Sequence, residues 1–372
     1  MLYYIDNSCV ESLNAGDPDA AEFLEQLILH RKKCKNLVIA DRKVLHNLSQ
    51  SPYLAPFARS LYKILANRSS EFRMILSRSK KYYKVVSACH GNKITENNGQ
   101  VTIQLTMKEG NKTDFTDRSI LLAESTDDID FYKIIGNYYL NHHCIHHMSL
   151  SFEEMIGGGD TTNTRLEQIL NEGRRLCLCI VDSDKKFSGA TYGITLQKVM
   201  KILSKKGTEN VEVYPLHTHE IENLIPVNML HEICKDIPSA KTAISFLEFL
   251  LKIDASDCSP VFYFDYKKGL PKNKFILKKE ATADEQKKFR RLENYRIYWM
   301  QYIKAFHLTI DSSADHLILP GISEKILPYA IKYLKSNKQL EKEIDQSYIQ
   351  NLWLHLGAAI VTWGCVGHRI AA

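Results

Sequence analysis

Leu176, Cys177, Leu178, Cys179, Ile180 and Val181 form an unbroken apolar run that ends in Asp182-Ser183-Asp184. A strand with water on one side alternates polar and apolar residues. One with no polar position must be covered on both faces, as the central strand of a parallel sheet is. Helical patterns at 164–171 and 191–205 flank the run and supply the crossovers that parallel strands need. The chain is thereby constrained to an α/β fold, and the two aspartates to the carboxyl edge of the sheet, where open sheets place their sites. Two residues apart in extended chain, Asp182 and Asp184 point to one side and can share a cation.

Other acids occupy equivalent places. Ser119-Ile120-Leu121-Leu122-Ala123 ends at Glu124, and Gly157-Gly158-Gly159-Asp160 follows the next strand, its glycines permitting close backbone approach to a phosphate or metal. The strand Val211-Glu212-Val213-Tyr214-Pro215-Leu216 leads into His217-Thr218-His219-Glu220-Ile221-Glu222-Asn223. Carboxylates gathered at one edge repel one another unless a hard divalent cation, Mg²⁺ or Mn²⁺, neutralises them. On extended chain Glu220 and Glu222 both face the site; on a helix only one reaches it, Glu222 before Glu220. His217 or His219 is a candidate proton donor to a leaving oxygen, against ordinary hydrogen bonding.

The strand-end Glu124 and the Asp182/Asp184 pair about one βαβ unit later resemble the Toprim domain of topoisomerases, bacterial primases, small nucleases and OLD-type anti-phage nucleases. The chain is closer to nuclease subunits of prokaryotic defence systems such as PARIS, which work beside an ATPase. Their counterparts here are Leu122 through Tyr132, Gly157-Gly158-Gly159-Asp160, Val181-Asp182-Ser183-Asp184 and Glu220-Ile221-Glu222-Asn223; Ser125 stands where that family has glycine. The resemblance implies a Toprim-like Rossmannoid parallel sheet flanked by helices over 118–270. It implies a Mg²⁺- or Mn²⁺-dependent endonuclease acting on DNA, tRNA or other RNA, an anti-phage effector with an ATPase partner. Glu124 would be the catalytic carboxylate. Asp182, Asp184, Glu222, Glu220, Asp160 and Asp128 form the candidate metal set. Lys267, with Lys268 in reserve, follows the apolar run 259–265, read as the last strand, and would neutralise transition-state charge. The alternative function is a catalytically inactive regulatory or binding subunit, which Ser125 favours. No Gly-x-x-x-x-Gly-Lys loop is present, so ATP hydrolysis would fall to a partner.

The remaining segments frame that domain. Residues 1–117 read as an α/β subdomain: strands end at Asp6 and Asp41, Asp17-Pro18 starts a helix, and 82–88 with 101–107 form a basic hairpin. The two strand-end acids are similar to the PIN-like ribonuclease pattern; a partner-binding or packing role is the simpler account. Four histidines and a cysteine between His142 and His147 include the i, i+4 spacing of a helical zinc site, against a polar helix end. Residues 271–372 supply a basic segment and helices at 283–306, 323–337 and 339–364, which pack on the sheet or against a second copy in a homodimer. Lys268, Lys272, Lys274, Lys278, Lys279, Lys287, Lys288, Arg290 and Arg291 are the candidate nucleic-acid contacts, since phosphates require cations spaced along a surface. The interleaved Phe289, Tyr295, Tyr298 and Trp299 stack on bases or fill a core.

Composition limits the class. No apolar run approaches the ~18 residues needed to span a bilayer, and the start, Met1-Leu2-Tyr3-Tyr4-Ile5-Asp6, lacks the form of a secretory signal. Nine scattered cysteines, an odd number, point to free thiols and a cytoplasmic protein. A net charge of +6 allows a nucleic-acid partner without requiring one.

Overall fold

A computed structural model describes residues 1–89, 91–206, 209–256, 258–277, 280–310, 317–337, 339–345 and 347–370, with the side chains of Arg73, Met74, Asp160 and Lys206 outside that description. The chain is α/β and divides into two compact units. Met1–Ile180, Val199–Tyr214 and Leu354–Ala372 make the first, Val181–Lys198 and Pro215–Trp353 the second. Residues 1–117 and 118–180 thus share a unit, and the segment 118–270 contributes to both.

The first unit holds two sheets. Strands β1 (Leu2–Ile5), β2 (Leu37–Ala40), β3 (Lys81–Val86), β4 (Ile94–Asn97) and β5 (Gln100–Thr106) lie in the order β2-β1-β3-β5-β4. β1 is parallel to both neighbours, with Tyr3 opposite Val38 and Tyr83, and the Tyr3 and Tyr83 rings stack at 5.7 Å. Asp17 accepts the Asp19 amide and caps the Pro18–Lys32 helix, whose Phe23, Leu24, Leu27 and Ile28 are fully buried. The basic hairpin between 82 and 107 is not formed. β3 and β5 run parallel, and the intervening chain supplies β4, antiparallel to β5 across Asn98-Gly99. Both turn residues have positive φ, 50° and 74°, the geometry that an Asn-Gly pair favours. The cations at its start are engaged: Lys84 pairs with Asp6 at 2.8 Å, and Lys81, just before it, lies 4.4 Å from the Trp363 ring.

In the second sheet, β6 (Ile120–Ala123) is parallel to β8 (Glu153–Ile156) and to β9 (Cys177–Val181), and β10 (Val211–Pro215) completes the order β10-β9-β6-β8. β6 and β9 are buried at every residue, as their unbroken apolar pattern requires. β7 (Met148–Leu150) pairs antiparallel with β13 (Cys365–Gly367). The Thr126–His142 helix stops inside the histidine cluster, with Cys144 at φ 54°. The i, i+4 pairs His142/His146 and His143/His147 therefore do not share a helical face.

The second unit is built round helices and irregular chain. The Ala240–Ile253, Glu293–Ala305 and Ile326–Ser336 helices bury Phe246, Leu247, Trp299, Ile303, Ala330 and Leu334. Trp299 is the hub: its ring lies 6.2 Å from Phe264 and 5.3 Å from Tyr298, and its Nε1 donates to the Lys186 carbonyl at 2.9 Å. The helix expected over 283–306 breaks at Leu292, and that over 339–364 becomes Leu340–Asp345 and Gln350–Gly364. The strand expected at 259–265 is absent. Pro260 opens a 3₁₀ turn, Pro260–Tyr263, where its missing N–H costs nothing. Two short strands follow, β11 (Leu270–Pro271) and β12 (Leu317–Leu319), paired antiparallel. Gly269, at φ 67°, permits this approach, because a Cβ there would lie 2.2 Å from the Leu319 carbonyl oxygen. Among the described residues no helix is long and apolar enough to cross a membrane.

Candidate metal centre

The second unit draws four stretches of chain together by backbone and amide bonds. The Asp184 amide donates to the His219 carbonyl at 2.8 Å, and the His219 amide to the Phe262 carbonyl at 2.7 Å. The Ser183 hydroxyl donates to the Thr218 carbonyl. Gly193 donates to Ser183 O at 2.9 Å and packs so closely that a Cβ there would lie 2.0 Å from Asp184 Oδ2. Asn223 is the clamp. Its Oδ1 accepts the Glu220 amide at 3.0 Å while its Nδ2 donates to Val261 O at 3.0 Å and Phe264 O at 2.8 Å. A buried amide satisfied at both ends fixes the Ile221–Leu224 turn against the Pro260–Tyr263 turn.

Side chains converge where these stretches meet. His219 is buried, with Nε2 at 3.8 Å from Glu220 Oε1 and 3.9 Å from Asp265 Oδ2. One ligand atom from each of the three lies within 4.8 Å of the others. These separations exceed hydrogen-bonding distance and come near the ~3 to 3.5 Å expected between donors that each sit about 2.1 Å from a shared ion. Asp265 is fixed in orientation: its Oδ1 accepts the amides of Lys267 at 3.1 Å and Lys268 at 2.7 Å, leaving Oδ2 towards His219. Burial pushes its carboxyl up, but His219, the Lys268 amide and Lys274 outweigh burial and hold it below its ordinary range.

Lys267 bridges the two glutamates, its Nζ lying 2.9 Å from Glu220 Oε2 and 3.2 Å from Glu222 Oε1. Both acids therefore reach one point although Ile221–Leu224 is helical. Glu220 sits just before the turn in extended geometry, so the expected choice between them does not arise. Burial acts against the Lys267 charge, yet Glu222 and Glu220 raise its affinity for the proton overall. Burial likewise pushes the Glu222 carboxyl up; Glu220 adds to this and Lys267 only partly offsets it. Its Oε2 is buried with no hydrogen-bond partner. Asp184 is also pushed up, by burial first and then by Glu220, against His219 and the nearby lysines.

The other candidates are placed differently. Asp182 directly follows β9 and is half-buried. Glu124, in the first unit, follows β6 and is half-buried beside the glycine loop. Gly157 donates to Ala123 O at 2.7 Å and Gly158 to Glu124 O at 3.0 Å, with Gly158 and Gly159 at φ 70° and 63°. Ser125 is extended, at φ −138°, so no glycine is required there. Its hydroxyl accepts the Asp128 amide while Asp128 Oδ2 accepts the Ser125 amide, a reciprocal cap on the helix start. Asp128, a candidate ligand by sequence, is thus engaged as a cap. Asp160 lies in the Gly159–Thr161 turn with its side chain outside the described residues.

Of the candidate nucleic-acid contacts, Lys268, Lys287, Lys288, Arg290 and Arg291 are exposed, and Lys272 and Lys274 half-buried. Lys278 and Lys279 lie outside the described residues. Lys288 pairs with Asp284 at 2.9 Å. Burial, then the charge of Lys186, lowers Lys274 to about 8, and its Nζ sits 5.0 Å from the Tyr295 ring centre. Tyr295 and Trp299 are buried and belong to the core.

Asp265 was not among the candidate ligands. Its signal was Asp-Tyr-Lys-Lys-Gly, a turn in which the aspartate accepts amides two and three residues on. No family model, curated protein or solved structure compared with the chain matches it.

Proposed function

We propose that the chain is a divalent-metal-dependent phosphodiesterase acting on nucleic acid, a nuclease of Toprim type. The observation that supports this most directly is the approach of His219, Glu220 and Asp265 to within 4.8 Å of one another. One imidazole nitrogen with two carboxylates is a mixed donor set, suited to Mn²⁺ better than to the all-oxygen preference of Mg²⁺. A bound ion would supply Lewis acidity and an activated water.

The chain's own groups carry the rest. Asp265, oriented by two amides, and His219, held through its backbone, keep the donors in place. Glu222 retains a proton to higher pH than an ordinary glutamate, which fits it to protonate the leaving oxygen as water adds to phosphorus and the P–O bond breaks. Lys267, 30% exposed, would turn from the glutamates to a phosphate oxygen as negative charge builds there. The resemblance would make Glu124 the catalytic carboxylate and Asp182 and Asp184 further ligands for the cation, with an ATPase partner controlling the activity in an anti-phage system.

The test is incubation with total RNA and plasmid DNA in Mn²⁺ or Mg²⁺, comparing wild type with His219→Ala, Asp265→Asn and Glu124→Ala. Each variant should fall by about a hundredfold or more, the scale of losing a general base or its equivalent. The Lys267 bridge favours a second reading, in which lysine neutralises the acids permanently and the chain is a regulatory subunit. In that case calorimetry finds no Mn²⁺ binding and the three substitutions change stability alone.

A further inference from the structure

We propose that the groove of the second unit between Tyr192 and Arg291 seats a single-stranded polynucleotide, a phosphate lying between Lys186 and Arg291 and a base on Tyr192. This rests on the nuclease proposal and names the form of its substrate. The groove measures about 650 Å³ and reaches Asp184 at one end; Lys186, Tyr192, Arg291 and Tyr295 are among its walls. It therefore opens at a residue whose amide is bonded to His219, within the candidate metal centre.

Charge and aromatic surface alternate along it as a nucleic-acid strand demands. Tyr192 is 40% exposed, high for a large ring, and Lys185 Nζ lies 4.4 Å from its centre. A base stacked there has a cation beside it for the adjoining phosphate. Lys186 and Arg291 form no ion pair among the described residues, whereas Lys288 is already paired with Asp284. The loop is anchored below: Trp299 Nε1 holds the Lys186 carbonyl, and Phe187 lies 5.6 Å from Tyr298. Its side chains are thus presented from a rigid support. Leu292 also lines a second groove, of about 340 Å³, with Lys274 and Phe289, so the two grooves adjoin.

Concavity decides between one strand and two. In a duplex the base faces are covered by their neighbours, and a ring on the wall of a groove cannot reach them. An unpaired strand can turn a base outward onto such a ring.

The experiment is fluorescence anisotropy in EDTA, which separates binding from cleavage, with short DNA and RNA single strands and the matching duplexes. Single strands should bind at least about tenfold tighter than duplexes, and Tyr192→Ala should weaken them about tenfold while Tyr192→Phe does not. Lys186→Ala should lower the salt dependence by about 0.7 in log–log slope, the share of one phosphate contact on a single strand. DNA and RNA arms report which sugar is preferred. Duplexes binding as tightly as single strands, or Tyr192→Ala binding like wild type, overturns the groove assignment even where the cleavage assay succeeds. Loss of cleavage proficiency with single-strand binding intact would instead remove the nuclease and leave the groove.

Discussion

Glu222 and Asp265 stand in one cluster and shift in opposite directions, which separates their contributions by pH. The folded chain holds the Glu222 proton above the ordinary value of 4.5, so stability falls as pH rises through the window from 4.5 to that raised value. Glu222→Gln should therefore melt higher than wild type at about pH 7.5 and much closer to it at about pH 4.5. Asp265 is held below 3.8, so its stabilisation is present above that value and disappears as pH falls through the depressed one. Asp265→Asn should cost about 1.5 to 3 kcal/mol near neutrality, the worth of hydrogen bonds to a charged group. Thermal melts across the pH range check both signs. At this scale the sequence offered Glu220 and Glu222 as acids after an apolar strand and Lys267 through the resemblance alone, and the structure brings the three side chains together. Asp265 was hidden by the strand assigned to its segment, which made it a terminus rather than a turn.

Among elements, the two facing 3₁₀ turns are the least expected and the most informative. Asn223→Ala would leave the Glu220 amide and the carbonyls of Val261 and Phe264 without their partner, a cost of about 3 to 5 kcal/mol. The variant should lose Mn²⁺ affinity along with stability, measured by calorimetry and denaturant titration. Gly269→Ala should cost about 2 to 5 kcal/mol, the sum of left-handed strain and overpacking against backbone. β1, β2, β6 and β9 were readable because a short apolar run ending in an acid or a turn has few other uses in an α/β chain. The same logic misled at 259–265: a run with no polar position has no period, and periodicity alone cannot tell a buried strand from a buried turn. β4 was not read as a strand, because it is fully exposed and lacks the apolar pattern that marks the others.

For the molecule as a whole, the sequence indicated free thiols, and the structure shows where they are. All nine cysteines are unbridged: Cys9, Cys177, Cys179, Cys234 and Cys365 are buried, Cys34 is half-buried, and Cys89, Cys144 and Cys258 are exposed. Burial pushes Cys9 up to about 12 and Cys234 to about 11, which removes thiolate from neutral solution. A thiol reagent should modify the three exposed residues quickly and Cys34 more slowly, with the five buried ones reacting only on unfolding. The division into two units was not legible. Periodicity reports which face of an element is covered, and the partner that covers it depends on packing that no local pattern encodes. Lys267, set between Glu220 and Glu222, gives the second unit its own internal counter-ion. In the proposed function a divalent ion would therefore load by exchange, displacing an ammonium group from the acid cluster. The melting temperature should then rise with Mn²⁺ concentration, and chelation should return it to that of the metal-free chain.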